Sequence, residues 1–148
     1  MMKILWMSLM LSPAAGSAGP VDTGLVVLNI QNLETVQGAV HIALYDSEVN
    51  FMKVEKRVAG LAIPVKSGAA IKAELGRFPF GAYALAVFHD LNDNGILDKN
   101  ALGIPTEPYG FSNNPRPKWR APTFREARFE LRQAELELKV EIKRWKDY

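Results

Sequence analysis

Residues 90–98 read Asp90-Leu91-Asn92-Asp93-Asn94-Gly95-Ile96-Leu97-Asp98, the pattern D-x-N-x-N-G-x-x-D. Alternate positions carry oxygen-bearing side chains, and the glycine permits the sharp turn that swings the Ile96 carbonyl toward the same centre. A hard cation such as Ca2+ takes roughly six to eight oxygen ligands. Asp90, Asn92, Asn94, Asp98 and the carbonyl of Ile96 are therefore candidate ligands for Ca2+. The place where a bidentate glutamate belongs in such a loop is Ala101, so Asp93 or Glu107 would have to fold back to complete the shell. The same residues support a second reading. Asn and Asp side chains bond their own backbone, and Asn-Gly is a strong turn signal, so this is equally an Asx-rich turn without metal. Stabilisation by Ca2+ separates the two.

Two further groupings could do chemistry. His89 and Asp90 stand together with Glu107 downstream, a set capable of general acid-base work. No Ser or Cys nucleophile accompanies them: the chain has no Cys, no G-x-S-x-G, and Ser112 is followed by Asn113. The other histidine, His41, falls on an alanine-rich strand face and is read as structural. Arg116, Lys118 and Arg120 flank Trp119 in a proline-rich stretch that also holds Tyr109 and Phe111. Basic residues around aromatic ones can dock an anionic polymer or a lipid headgroup, or lie as a solvated face whose stems cover apolar surface.

The elements that must position these residues read as strands. Residues 24–30 (GLVVLNI) are rich in β-branched types, and 38–45 (GAVHIALY) alternates, Val40, Ile42 and Leu44 against Ala39, His41, Ala43 and Tyr45. Runs at 61–65, 69–75, 81–88, 127–131 and 135–142 complete about seven strands separated by Gly, Pro, Asn and Ser. Residues 133–146 are rich in helix formers, but Leu136, Leu138, Val140 and Ile142 fall at period two, and the period outweighs propensity. The only helical expectation is the charged stretch 50–58. Residues 102–120 form one long irregular loop with four prolines, ordered by its aromatic residues.

The 148 residues, 48% hydrophobic, fit one domain and exclude a disordered chain. A net charge of +2 gives no nucleic-acid signature, although residues 19–114 carry −3 and residues 115–148 carry +4. The absence of Cys excludes disulfide frameworks and thiolate metal sites. Lys3, the run 4–11 (ILWMSLML) and the small residues 14–18 have the three parts of a secretory signal peptide. That run rises only about 12 Å as a helix, against roughly 30 Å for a bilayer. The expectation is a signal peptide at 1–18, cleavage after Ala18, and a periplasmic or secreted domain at 19–148 with no transmembrane segment.

The strings 81–90 (GAYALAVFHD), with Asn92, Asn94-Gly95 and Leu97-Asp98, and 102–114 (LGIPTEPYGFSNN) resemble the bacterial domain-of-unknown-function family numbered 2141, small exported proteins. The resemblance extends over the 38–46 strand and nearly all of the expected mature chain. It implies an immunoglobulin-like or transthyretin-like β-sandwich and supplies no reaction. Transthyretin-like hydrolases of purine catabolism end in Tyr-Arg-Gly-Ser, whereas this chain ends Arg144-Trp145-Lys146-Asp147-Tyr148, which counts against that activity. The sequence thus points to an all-β exported module of the cell envelope that binds an envelope protein or polysaccharide or serves structure, more a binder than an enzyme. A hydrolase or carbohydrate-active enzyme using His89, Asp90 and Glu107 is the alternative. Tyr109, Phe111, Arg116, Lys118, Trp119 and Arg120 are the candidate ligand or partner contacts. Oligomeric state has no signature here.

Overall fold

In the computed structural model, residues 20–148 are described; the segment 1–18 expected to be a signal peptide lies outside them. The strands in chain order are β1 (Thr23–Gln31), β2 (Ala39–Tyr45), β3 (Ala59–Pro64), β4 (Ala70–Pro79), β5 (Gly81–Asp90), β6 (Tyr109–Phe111), β7 (Phe129–Leu131) and β8 (Glu135–Glu141), with one helical turn, α1 (Phe124–Ala127). They form two sheets, one ordered β4-β1-β8 and the other β3-β2-β5-β6, with β7 pairing the first half of β5. This is an all-β sandwich. In the three-stranded sheet β1 is antiparallel to β4 and parallel to β8, so the first and last strands lie side by side.

Period-two alternation builds the core. Val26, Leu28 and Ile30 of β1 meet Val40, Ile42 and Leu44 of β2 and Tyr83, Leu85 and Val87 of β5, with Leu131, Val140 and Ile142 closing the ends. A smaller cluster of Ala84, Phe111 and Ala127, with Phe51 and Phe124 against it, lies apart. It covers part of the outer face of the β2–β5 sheet, because Ala84 points away from its neighbours Tyr83 and Leu85.

Several expectations change. There are eight strands where about seven were read, because β6 lies inside the loop expected to be irregular. The stretch 50–58 makes only turns and a 3-10 turn over Val54–Lys56. The expected strand 127–131 begins as α1, where a Thr123/Glu126 capping box satisfies the free N–H groups, and only Phe129–Leu131 is strand. Residues 135–141 are strand, as their period required.

Candidate functional site

The 90–98 loop is tied by its own side chains. Asp90, fully buried, accepts the Asn94 N–H at 3.1 Å and the Gly95 N–H at 2.7 Å, one on each carboxylate oxygen. Asp93 and Gly95 take positive φ, 58° and 82°, and complete the turn. The Asn92 amide donates to Asp98 at 2.6 Å, and the Asn94 amide reaches both Asp98 oxygens at 3.0 and 3.1 Å. Glu107 does fold back, but its oxygens accept the Leu91 N–H at 2.8 Å and the Asp98 N–H at 3.0 Å. The structure thus brings Asp90, Asn92, Asn94 and Asp98 together, with their carboxylate oxygens already holding N–H donors. Ile96 is exposed and its backbone N–H bonds the Asn94 side chain. Among the described residues no group of three or more His, Cys, Asp or Glu side chains could hold a metal ion.

His89, Asp90 and Glu107 are near in sequence and face different ways. His89 is fully buried on the core side of β5, its Nε2 donating to the Gln37 carbonyl at 2.7 Å. Its Nδ1 is buried and has no partner among the described residues. Asp90 points to the opposite side of the strand, as alternation demands. There its Oδ2 lies 3.2 Å from Nε2 of His41. The His41 ring also stacks on Phe88, centroids 4.9 Å apart at 8°.

His41 opens onto a cleft that spacing along one strand did not reveal. Register across the second sheet sets Ala62, His41, Phe88 and Tyr109 in one outward row and Gly60, Ala43, Ala86 and Phe111 in the next. Three neighbouring strands therefore present no side chain larger than a methyl group in that second row. Strands lie about 4.8 Å apart, and the Arg57 side chain lies over Gly60, so the open floor of that row is Ala43 and Ala86. It forms a cleft of about 600 Å³, with Tyr45, Met52, Val54 and Arg57 at one end and Gly95, Ile96 and Leu97 of the Asp90 loop at the other. That volume lies within the roughly 300–1,000 Å³ of small-molecule sites. Burial pushes the Tyr45 phenol above its ordinary value, with Arg57 nearby opposing the shift.

The expected contact residues divide. Tyr109 and Phe111 line the cleft, and Phe111 is also core. Tyr109 stacks on Tyr148 at 4.9 Å and its carbonyl accepts the Tyr148 hydroxyl at 2.7 Å; burial raises both phenols, Tyr148 furthest. Arg120 is held by both oxygens of Glu126 at 2.8 Å, and Lys118 lies 4.8 Å over the Trp145 ring. Trp119 is 81% exposed against the edge of Trp145, and Arg116 is exposed near Tyr148. The Ser112-Asn113-Asn114 string is structural: Ser112 accepts the Leu85 N–H at 2.9 Å, Asn113 donates to the Arg128 carbonyl, and Asn114 accepts the Glu141 N–H at 2.8 Å.

The chain is, as a class, an eight-stranded all-β sandwich with a hollow on the outer face of one sheet. Comparison with family models matches residues 28–139 to the family described as an uncharacterized protein conserved in bacteria, DUF2141, and the chain belongs to that family. Comparison with curated proteins and with solved structures finds no match.

Proposed function

We propose that the chain is an exported binding module of the cell envelope whose ligand site is the cleft on the outer face of the β3-β2-β5-β6 sheet. The observation that carries this reading is the row Gly60, Ala43, Ala86, whose missing side-chain volume opens a mainly apolar hollow beside two aromatic residues. The expected signal peptide supports export to the periplasm or beyond, and an envelope protein or polysaccharide remains the partner class for the exposed Trp119 region. No helix among the described residues is long and apolar enough to cross a membrane.

Binding suits this geometry better than hydrolysis. His89 and Glu107 are buried and engaged with backbone groups, and Asp90, the third of the acid-base set, is fully buried behind His41, which lines the cleft. The Asp90 loop serves as the cleft's end wall. Ca2+ would have to displace the Asn92 and Asn94 amides from Asp98 to enter it, so the expected outcome is an unchanged Tm in millimolar Ca2+. Saturable calorimetric heat that disappears in Asp98→Asn would instead make the loop a cation site. The main test is titration with the neutral dye N-phenyl-1-naphthylamine. Saturable fluorescence enhancement that is lost in Ala43→Leu supports the cleft, and its absence in the folded parent protein overturns it.

A further inference from the structure

The end of the cleft away from the Asp90 loop carries polar groups with spare hydrogen-bonding capacity. Tyr45 is only 1% exposed, lines the cleft, and its hydroxyl has no hydrogen-bond partner among the described residues. That oxygen is not one of the buried unpartnered atoms, which among the described residues are Ser47 Oγ and His89 Nδ1, so its bonding capacity is open to the cleft. Arg57 lies close enough to act on that phenol electrostatically. Its guanidinium makes one bond, from Nη1 to the Val54 carbonyl at 2.7 Å, and is within ion-pair distance of no carboxylate among the described residues. Glu55, on the same segment, also acts on Tyr45 and does not pair with Arg57. The position of Arg57 depends on Gly60: a Cβ there would stand 2.5 Å from Arg57 Nε and 3.0 Å from Cδ, so the side chain lies across β3 where a methyl group would be.

At the other side of the floor, His41 covers the Asp90 carboxylate, which is fully buried and bonded to the loop backbone. Asp90 therefore shows no carboxylate surface to a ligand. The apolar middle is flanked by Phe88, Tyr109 and Phe111.

We infer that the cleft takes an amphipathic organic anion, its apolar body laid along Ala43 and Ala86 and its acidic head held by Arg57 and the Tyr45 hydroxyl. The inference rests on the cleft being a ligand site and adds the class of ligand. A guanidinium fork matches an oxyanion in a way that water or a neutral ligand does not, and the phenol supplies a further donor. The apolar body gains from area removed from water on the alanine floor.

Two dyes sharing an N-phenylnaphthylamine body separate the parts of this argument. The neutral N-phenyl-1-naphthylamine reports the apolar floor alone, and 1-anilinonaphthalene-8-sulfonate adds the anionic head. The sulfonate should bind about tenfold tighter than the neutral dye, one strong charged contact's worth. Arg57→Gln should erase that preference. Gly60→Ala, which keeps the arginine and displaces it, should reduce the preference several-fold, and Tyr45→Phe should reduce it by a smaller factor. Equal affinity for the two dyes in the parent protein, or a preference that survives Arg57→Gln, overturns the anion inference while the cleft stands. Failure of both dyes to bind removes the cleft reading itself. Arg57 is exposed and outside the core, so its replacement tests recognition with the fold intact.

Discussion

The two sheets of this sandwich share one core and differ in their outer faces. On the β4-β1-β8 sheet, register places Glu74, Val27 and Glu137 in one row and Lys72, Asn29 and Lys139 in the next. Long charged side chains of both signs cover that face, and Lys72 meets Glu137 at 3.1 Å. Their stems shield Val27, which is 2% exposed although it lies outside the main core. On the other sheet the corresponding rows hold glycine, alanine and aromatic residues, and the surface is hollow. A sheet face facing water is cheaply finished with Lys and Glu, so a face finished with Ala has space kept for something else. The difference is the ground for placing the proposed ligand site on one side of the molecule.

The largest effects should ignore this asymmetry. Leu28→Ala on one sheet and Leu85→Ala on the other both empty a fully buried position, and each should lower stability in urea unfolding by about 2–5 kcal/mol. If only one did so, the two sheets would not share a single core. Next comes Asp90→Ala, which strips acceptors from the Asn94 and Gly95 N–H groups and the polar partner from His41. Hydrogen bonds to an ionised group contribute about 1.5–3 kcal/mol each, so a loss of about 3 kcal/mol is expected, with amide exchange accelerated in the 90–98 loop. A stability change below the error of the unfolding curve would make that loop an appendage, not the wall of the cleft.

Lys72→Ala on the charged face should matter far less, about 0–1 kcal/mol, because its ion pair is exposed and screened by salt. A loss several times larger would mean that the charged face is a cooperative network. The smallest effect concerns Glu126, whose carboxyl the Arg120 guanidinium holds down at about 2, helped by the Thr123 backbone N–H. Its folded value lies below the unfolded one, so its contribution is present above the ordinary carboxylate range and fades as pH falls from about 4.5 toward about 2. Carboxyl NMR should show that low midpoint and its rise toward the ordinary range in Arg120→Ala. A midpoint already ordinary in the parent protein would leave the 120–126 segment unclamped.

Much of the core was legible because alternation is a local signal. Val40, Ile42 and Leu44 fall on the buried face as read, and β8 follows its period despite residues that favour helix. What escaped was non-local or short. The three-residue β6 cannot show a period and is held by Ser112, Asn114 and the bridge to Lys143. The helical turn had a readable mark in Thr123-Phe124-Arg125-Glu126, the capping-box spacing. The cleft depends on Gly60, Ala43 and Ala86 standing side by side, which only inter-strand register decides. His41 was read as structural because one strand alone shows an alanine-rich face, not the neighbour that makes that face a floor.

The parallel pairing of β1 with β8 also governs the time course of folding. Residues 32–134 separate the two strands, so closing them carries the entropy cost of a very long loop, and such topologies form slowly. Until residues 135–141 have been synthesised, β1 has an unfilled edge and its Val26, Leu28 and Ile30 lack the Leu136, Leu138 and Val140 side of their core. The nascent polypeptide can therefore complete this sheet only after β8 has emerged.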